Sequence, residues 1–184
     1  EGFDDTLVNQ SAAKGLNTGG IALLPEGRGW LLAEVGSVDP DRDDPDVAEA
    51  RTREFIAGIP DGVVAKRIDD PADVKALWEV RASALAATAV PLEGPHNHEG
   101  WEDAAVPPQR LGEYLRAMTA LWAKYGYTGA WYGHFGQGCV HTRQPFDFRT
   151  TDGLATFRAF MEAAADLVTS MGGSLSGEHG DGQG

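Results

Sequence analysis

A chain of 184 residues with 42% apolar content is long enough for one well-packed domain or two small lobes sharing a core. Its net charge of −13 argues against nucleic acid and anionic membrane surfaces as partners, because both need clustered Lys and Arg. The single Cys139 excludes an intrachain disulfide and fits a reducing compartment, and no apolar run reaches the ~18 residues of a membrane span. With no signal-peptide pattern at the N-terminus, a cytoplasmic domain without a transmembrane segment is expected.

Residues 1–17 show no sustained periodicity and read as a leader, partly disordered or a short helix. The domain proper is expected over 18–184, excised from a larger protein. Ile21-Ala22-Leu23-Leu24 and Trp30-Leu31-Leu32-Ala33-Glu34-Val35 flank a Glu26-Gly27-Arg28-Gly29 turn, which predicts a hairpin. The acidic run from Asp39 to Asp46 reads as a solvated loop leading into a helix over 45–58. Val63 to Ile68 follows as a strand. Asp70 and Pro71 then open a helix carrying Val74, Leu77, Trp78, Arg81 and Leu85.

A long polar loop occupies about 87–106, and loops of that length are usually functional or disordered. Pro107 and Pro108 open a helix to about Tyr125, a strand over 128–134 enters a second hairpin, and a last helix covers about 152–171. Ser174-Leu175-Ser176 is a short strand delivering Glu178 and His179. Together these elements predict an α+β fold with a mixed, largely antiparallel sheet and helices on one face. The similar element order in the two halves suggests ferredoxin-like lobes.

The chemistry concentrates in Gly133-His134-Phe135-Gly136-Gln137-Gly138-Cys139-Val140-His141 and in Ser176-Gly177-Glu178-His179-Gly180-Asp181-Gly182. Folding the first stretch about Gln137-Gly138 sets His134 opposite His141, with Cβ atoms ~5 Å apart. Two imidazoles so placed, with the Glu178 carboxylate, form a His/His/Glu set suited to Zn²⁺ or a similar divalent ion with open positions. His179 beside such a cation is a candidate general base. Arg143 is a candidate clamp for a substrate carboxylate or a surface salt-bridge partner, and Arg81, in an apolar helix, needs an anion that is either structural or substrate. His96 and His98 form a His-x-His pair without a third ligand, and Glu102 and Asp103 are left open between capping and facing the site.

The two glycine motifs and the Glu102-Asp103-Ala104-Ala105-Val106-Pro107 segment resemble the C-terminal domain of FAD-linked oxidases. That family includes D-lactate dehydrogenase, the glycolate oxidase D-type subunit and D-2-hydroxyglutarate dehydrogenase. The Asp181-Gly182-Gln183 ending and Arg143 look closest to large bacterial members that join a FAD domain, this domain and an iron–sulfur region. The resemblance covers most of 20–184. It implies a cap on a flavin domain elsewhere in the polypeptide, with His134, His141 and Glu178 binding a divalent metal, commonly zinc. His179 becomes the base and Arg81 a substrate-carboxylate contact. The chain departs from the family at Gln137 and Cys139, where Asp and Asn are frequent, at Trp101 in place of a Lys, and at Leu85 in place of a Thr.

The expected function is therefore the substrate- and metal-binding cap of a FAD-dependent D-2-hydroxy acid dehydrogenase, inactive as a fragment. The full-length protein is expected in the cytoplasm, with peripheral contact to the inner membrane face. A stand-alone metal-dependent hydrolase and a non-catalytic interaction module are the alternatives.

Overall fold

In the computed structural model, Gly2–Asp4 (β1) is a central strand of a five-stranded sheet. It pairs with Gly29–Leu31 (β2) on one side and Tyr132–Gly133 (β4) on the other. Cys139–His141 (β5) and Asp103–Ala105 (β3) extend the sheet beyond β4, giving the order β2-β1-β4-β5-β3 with every pairing antiparallel. The structure describes residues 1–36 and 45–180. The acidic loop before Pro45 and the Asp181-Gly182-Gln183 ending lie outside them.

Residues 1–17, read as a leader that is partly disordered or a short helix, carry a strand and a short helix. Phe3 is buried, and Asp4 caps Asp5–Ala13 (α1) by accepting a hydrogen bond from the Leu7 backbone N–H at 3.1 Å. That cap aims Leu7 and Val8 into the same apolar cluster as Phe3. The first predicted hairpin is corrected. The run before its turn is a helix, Thr18–Leu23 (α2), and β2 pairs with β1 instead. A four-residue apolar run fits either period, and here Ile21 and Leu24 pack on the cluster around Phe3.

The predicted helices form with small shifts: Pro45–Ala57 (α3), Pro71–Ala82 (α4) followed by Ala84–Thr88 (α5), Leu111–Tyr125 (α6) and Thr151–Ser170 (α7). Asp70 accepts from the Ala72 and Asp73 N–H groups at the start of α4, and Gly126 ends α6 in the left-handed conformation. Val63 to Ile68 is not a strand; Val63 and Val64 are exposed, and a β-branched run forms no ladder where no edge is offered to it.

Register sends Phe3, Tyr132, His141 and Asp103 to one face of the sheet and Ala104 and Val140 to the other. Leu7, Val80 and Ala84 of α1, α4 and α5 cover Phe3 and Tyr132. Met118, Trp122, Phe160 and Val168 of α6 and α7 pack with Ala104 and Val140 on the opposite face. The α+β class holds, but the helices expected on one face divide between two. The site residues His141 and Asp103 continue the first face past the point where its helices cover it.

Candidate metal centre

The hairpin at 133–141 turns through a longer loop than its sequence suggests. Tyr132, not His134, lies opposite His141, because Phe135–Gln137 winds a 3-10 turn and Gly138 closes it at φ 75°. Glycine is required there on two counts, since a Cβ would also lie 1.9 Å from the Val106 carbonyl oxygen. His134 therefore sits in the turn rather than on the strand. Its ring still meets that of His141 edge to face, with centroids 5.5 Å apart.

Glu178 and His179 are brought in from the far end of the chain by Asp103. Ser174 exchanges backbone hydrogen bonds with Ala105, and the buried Asp103 carboxylate gathers the next turn. Its Oδ2 accepts from the Glu178 N–H at 2.9 Å, the His179 N–H at 2.8 Å and the Ser176 hydroxyl at 3.1 Å. Burial pushes this carboxyl up, but the His179 and Glu178 N–H groups, with Cys139 and Ser176, outweigh it and hold it below its ordinary value. Gly177 lets the turn close, since a Cβ there would meet Cys139 Sγ at 2.7 Å.

The imidazoles converge on one atom. Glu178 Oε1 lies 3.1 Å from His134 Nε2, 2.9 Å from His141 Nε2 and 3.5 Å from His179 Nε2. The rings of His141 and His179 stack with centroids 5.0 Å apart. Each far nitrogen faces a carboxylate: His134 Nδ1 meets Glu1 Oε1 at 2.5 Å, and His179 Nδ1 meets Glu102 Oε1 at 2.8 Å. His141 Nδ1 is buried without a hydrogen-bond partner among the described residues, with Asp103 Oδ1 at 3.6 Å.

This arrangement fits a divalent ion. Ligand atoms each about 2.1 Å from one ion lie about 3.0–3.4 Å apart in tetrahedral or octahedral geometry, close to the spacings around Glu178 Oε1. Single donor atoms of Asp103, His141, Glu178 and His179 all lie within 4.8 Å of one another. The orphaned Nδ1 of His141 beside Asp103 has the form of a carboxylate–histidine support for a metal ligand. Burial, then the Arg81 charge, lowers the proton affinity of His141, which favours the neutral form that ligates. The Glu102 hydrogen bond raises that of His179 and fixes the proton on Nδ1. Burial pushes the Cys139 thiol up to about 12, so it is a packed neutral side chain and not a thiolate ligand.

Arg81 joins the site through Glu1. Its Nε donates to Glu1 Oε2 at 2.7 Å, and the guanidinium carbon stands 5.4 Å from the Tyr132 ring centre. Arg143 donates to Glu99 at 2.8 Å. His98 packs edge-on against Phe148. Glu1 was hidden in the stretch read as a leader, and Glu102 and Asp103 were left open. In the sequence the last two adjoin the apolar Ala104-Ala105-Val106 run and belong to a segment that carries the family resemblance.

Comparison with known proteins gives a consistent picture. The model of the family FAD linked oxidases, C-terminal domain, matches residues 6–184. D-2-hydroxyglutarate dehydrogenase of Pseudomonas putida is 29% identical over 170 residues, a match covering 82% of this chain and 17% of that protein. Glycolate oxidase subunit GlcD of Bacillus subtilis is 28% identical over 178 residues, covering 96% of this chain and 35% of that protein. D-lactate dehydrogenase of Archaeoglobus fulgidus is 38% identical over 80 residues, covering 44% of this chain and 17% of that protein. The chain thus spans between 17% and 35% of the length of these curated relatives.

Proposed function

The chain belongs to the family of FAD linked oxidases, C-terminal domain, and from that premise we propose that it is the substrate- and metal-binding cap of a FAD-dependent 2-hydroxy acid dehydrogenase. The observation that carries the reading is the convergence of His134, His141 and His179 on Glu178 Oε1. His134, His141 and Glu178 hold the ion, and His179 is the base. Charge supports this division. Glu1, Glu102, Asp103 and Glu178 surround the three rings and Arg81 is the guanidinium among them, so an anionic substrate needs a compensating cation.

A bound Zn²⁺ or similar ion supplies Lewis-acid polarisation of the substrate hydroxyl, and FAD, held by another part of the full-length protein, accepts the hydride. Glu102 keeps the His179 proton on Nδ1, which leaves the Nε2 lone pair facing the site to take the hydroxyl proton. Arg81 spends only Nε on Glu1, so its Nη1 and Nη2 edge has no protein partner among the described residues and suits a carboxylate. As C2 loses hydride, its oxygen loses the proton to His179 and a 2-oxo acid forms. Arg143 serves the same reading as an outer contact, released from Glu99 by a substrate's second carboxylate.

Cys139 is the single cysteine in the sequence, so an iron–sulfur cluster in the full-length protein would take its ligands from another region. Among the described residues no helix is long and apolar enough to cross a membrane. The reading places the protein in the cytoplasm, in contact with the inner membrane face through other regions.

Substitution in the full-length protein separates the roles. His141→Ala and Glu178→Ala are expected to lose bound metal and 2-hydroxy acid oxidation together. His179→Asn is expected to keep the metal and lose about 100-fold or more in kcat. Unchanged oxidation in Glu178→Ala, or flavin-independent hydrolysis by the metal-loaded protein, would overturn the reading.

A further inference from the structure

Among the described residues, the Glu1 carboxylate bonds both His134, an expected metal ligand, and Arg81, the expected substrate arginine. The Glu1 side chain is 16% exposed, and its two oxygens point in different directions. Oε1 faces His134 Nδ1 at 2.5 Å and Oε2 accepts from Arg81 Nε at 2.7 Å. The Glu1 backbone nitrogen donates to the Leu32 carbonyl oxygen, and β1 begins at the next residue, so the carboxylate is presented from the edge of a paired strand. Arg81 is held from a second side by the Tyr132 ring, whose strand neighbour is His141.

Resting on the reading above, we propose that Glu1 is a positioning residue that couples metal binding to substrate binding. Its carboxylate fixes the proton of His134 on Nδ1 and so directs the Nε2 lone pair toward Glu178. The same group engages Arg81 through Nε and leaves its two Nη groups to act as a fork. The two tasks together cannot be done by an acid reaching only one partner. An amide fails as well, because its single oxygen can accept from His134 or from Arg81 while its NH₂ opposes the other donor.

The test uses the full-length protein with Zn²⁺ affinity, measured by competition with a chromophoric chelator, and steady-state kinetics on D-2-hydroxyglutarate, D-lactate and glycolate at saturating Zn²⁺. Glu1→Gln is expected to weaken Zn²⁺ binding by ~10–100-fold and to raise KM for the oxidised substrate by about tenfold, with a smaller change in kcat. Should Glu1→Gln reduce the yield of folded protein, Glu1→Asp repeats the test. It keeps the charge but is one methylene too short to span both partners, and the same joint shift is expected. A purely structural role would lower Tm and the active fraction while leaving Zn²⁺ affinity and KM at wild-type values, and that result overturns the proposal. His141→Ala distinguishes the two levels. If it loses Zn²⁺ while Glu1→Gln keeps both affinities, the role of Glu1 is wrong and the metal site stands; if His141→Ala retains Zn²⁺, the metal reading itself fails.

Discussion

Asp103 shows how much of this site depends on a residue outside the expected ligand set of His134, His141 and Glu178. One of its oxygens gathers the Ser176 hydroxyl and the Glu178 and His179 N–H groups, and the other faces His141 Nδ1. An amide at this position would keep its oxygen on the three donors and place NH₂ beside His141 Nδ1. That favours the tautomer with the proton on Nε2, which cannot ligate. Asp103→Asn is therefore expected to weaken Zn²⁺ binding by ~10–100-fold with little loss of secondary structure by circular dichroism. Wild-type affinity in this variant would show that His141 is not a ligand through Nε2. The sequence made His134, His141 and Glu178 visible because glycines bracket them, but it could not reveal the carboxylates behind the rings. Glu102 and Asp103 are adjacent in sequence and opposite in task, one orienting His179 and the other anchoring its turn.

At the scale of elements, helices were more legible than strands. α4 declared itself by Asp70 and Pro71, and α6 by its apolar stripe and Gly126, all local signals. β1 has three residues and takes its place from long-range pairing with β2 and β4, which no local pattern encodes. The turn at Phe135–Gln137 moved the histidine register for the same reason, because Gly138 answers to Val106 rather than to its neighbours.

The junction of β1 and α1 offers a test of this account. Burial pushes the Asp4 carboxyl up to about 6, against the Leu7 and Trp131 N–H groups that favour its charged form. The folded state thus holds this proton more tightly than the unfolded chain. The group's contribution is largest below the unfolded value of 3.8 and is lost as pH rises through about 6. Asp4→Asn removes the titration and keeps an oxygen for the cap. In urea unfolding, its stability relative to wild type is expected to rise by about 2–3 kcal/mol between about pH 4 and about pH 7. Parallel curves would show that Asp4 is not desolvated by the strand–helix corner.

The whole molecule is one antiparallel sheet with an apolar cluster on each face, and the site lies where the face bearing Phe3 and Tyr132 runs out beyond its helices. The α+β class was readable from element order; the division of helices between two faces was not, because it follows from the registers Phe3–Tyr132 and Tyr132–His141. The site draws on both ends of the sequence, with Glu1 and Arg81 on one side and Glu178 and His179 on the other, across His134 and His141. The chain spans 17% of the Pseudomonas putida relative and 35% of the Bacillus subtilis one, and the proposed reading assigns the flavin to another region of the full-length protein. The central claim is that a divalent ion on His134, His141 and Glu178 is needed for 2-hydroxy acid oxidation. The most direct measurement is oxidation by the full-length, flavin-loaded protein after chelation and after Zn²⁺ is restored. Loss on chelation with recovery on Zn²⁺ addition is expected in wild type, with no recovery in His141→Ala; full-rate oxidation by verified metal-free protein would contradict it.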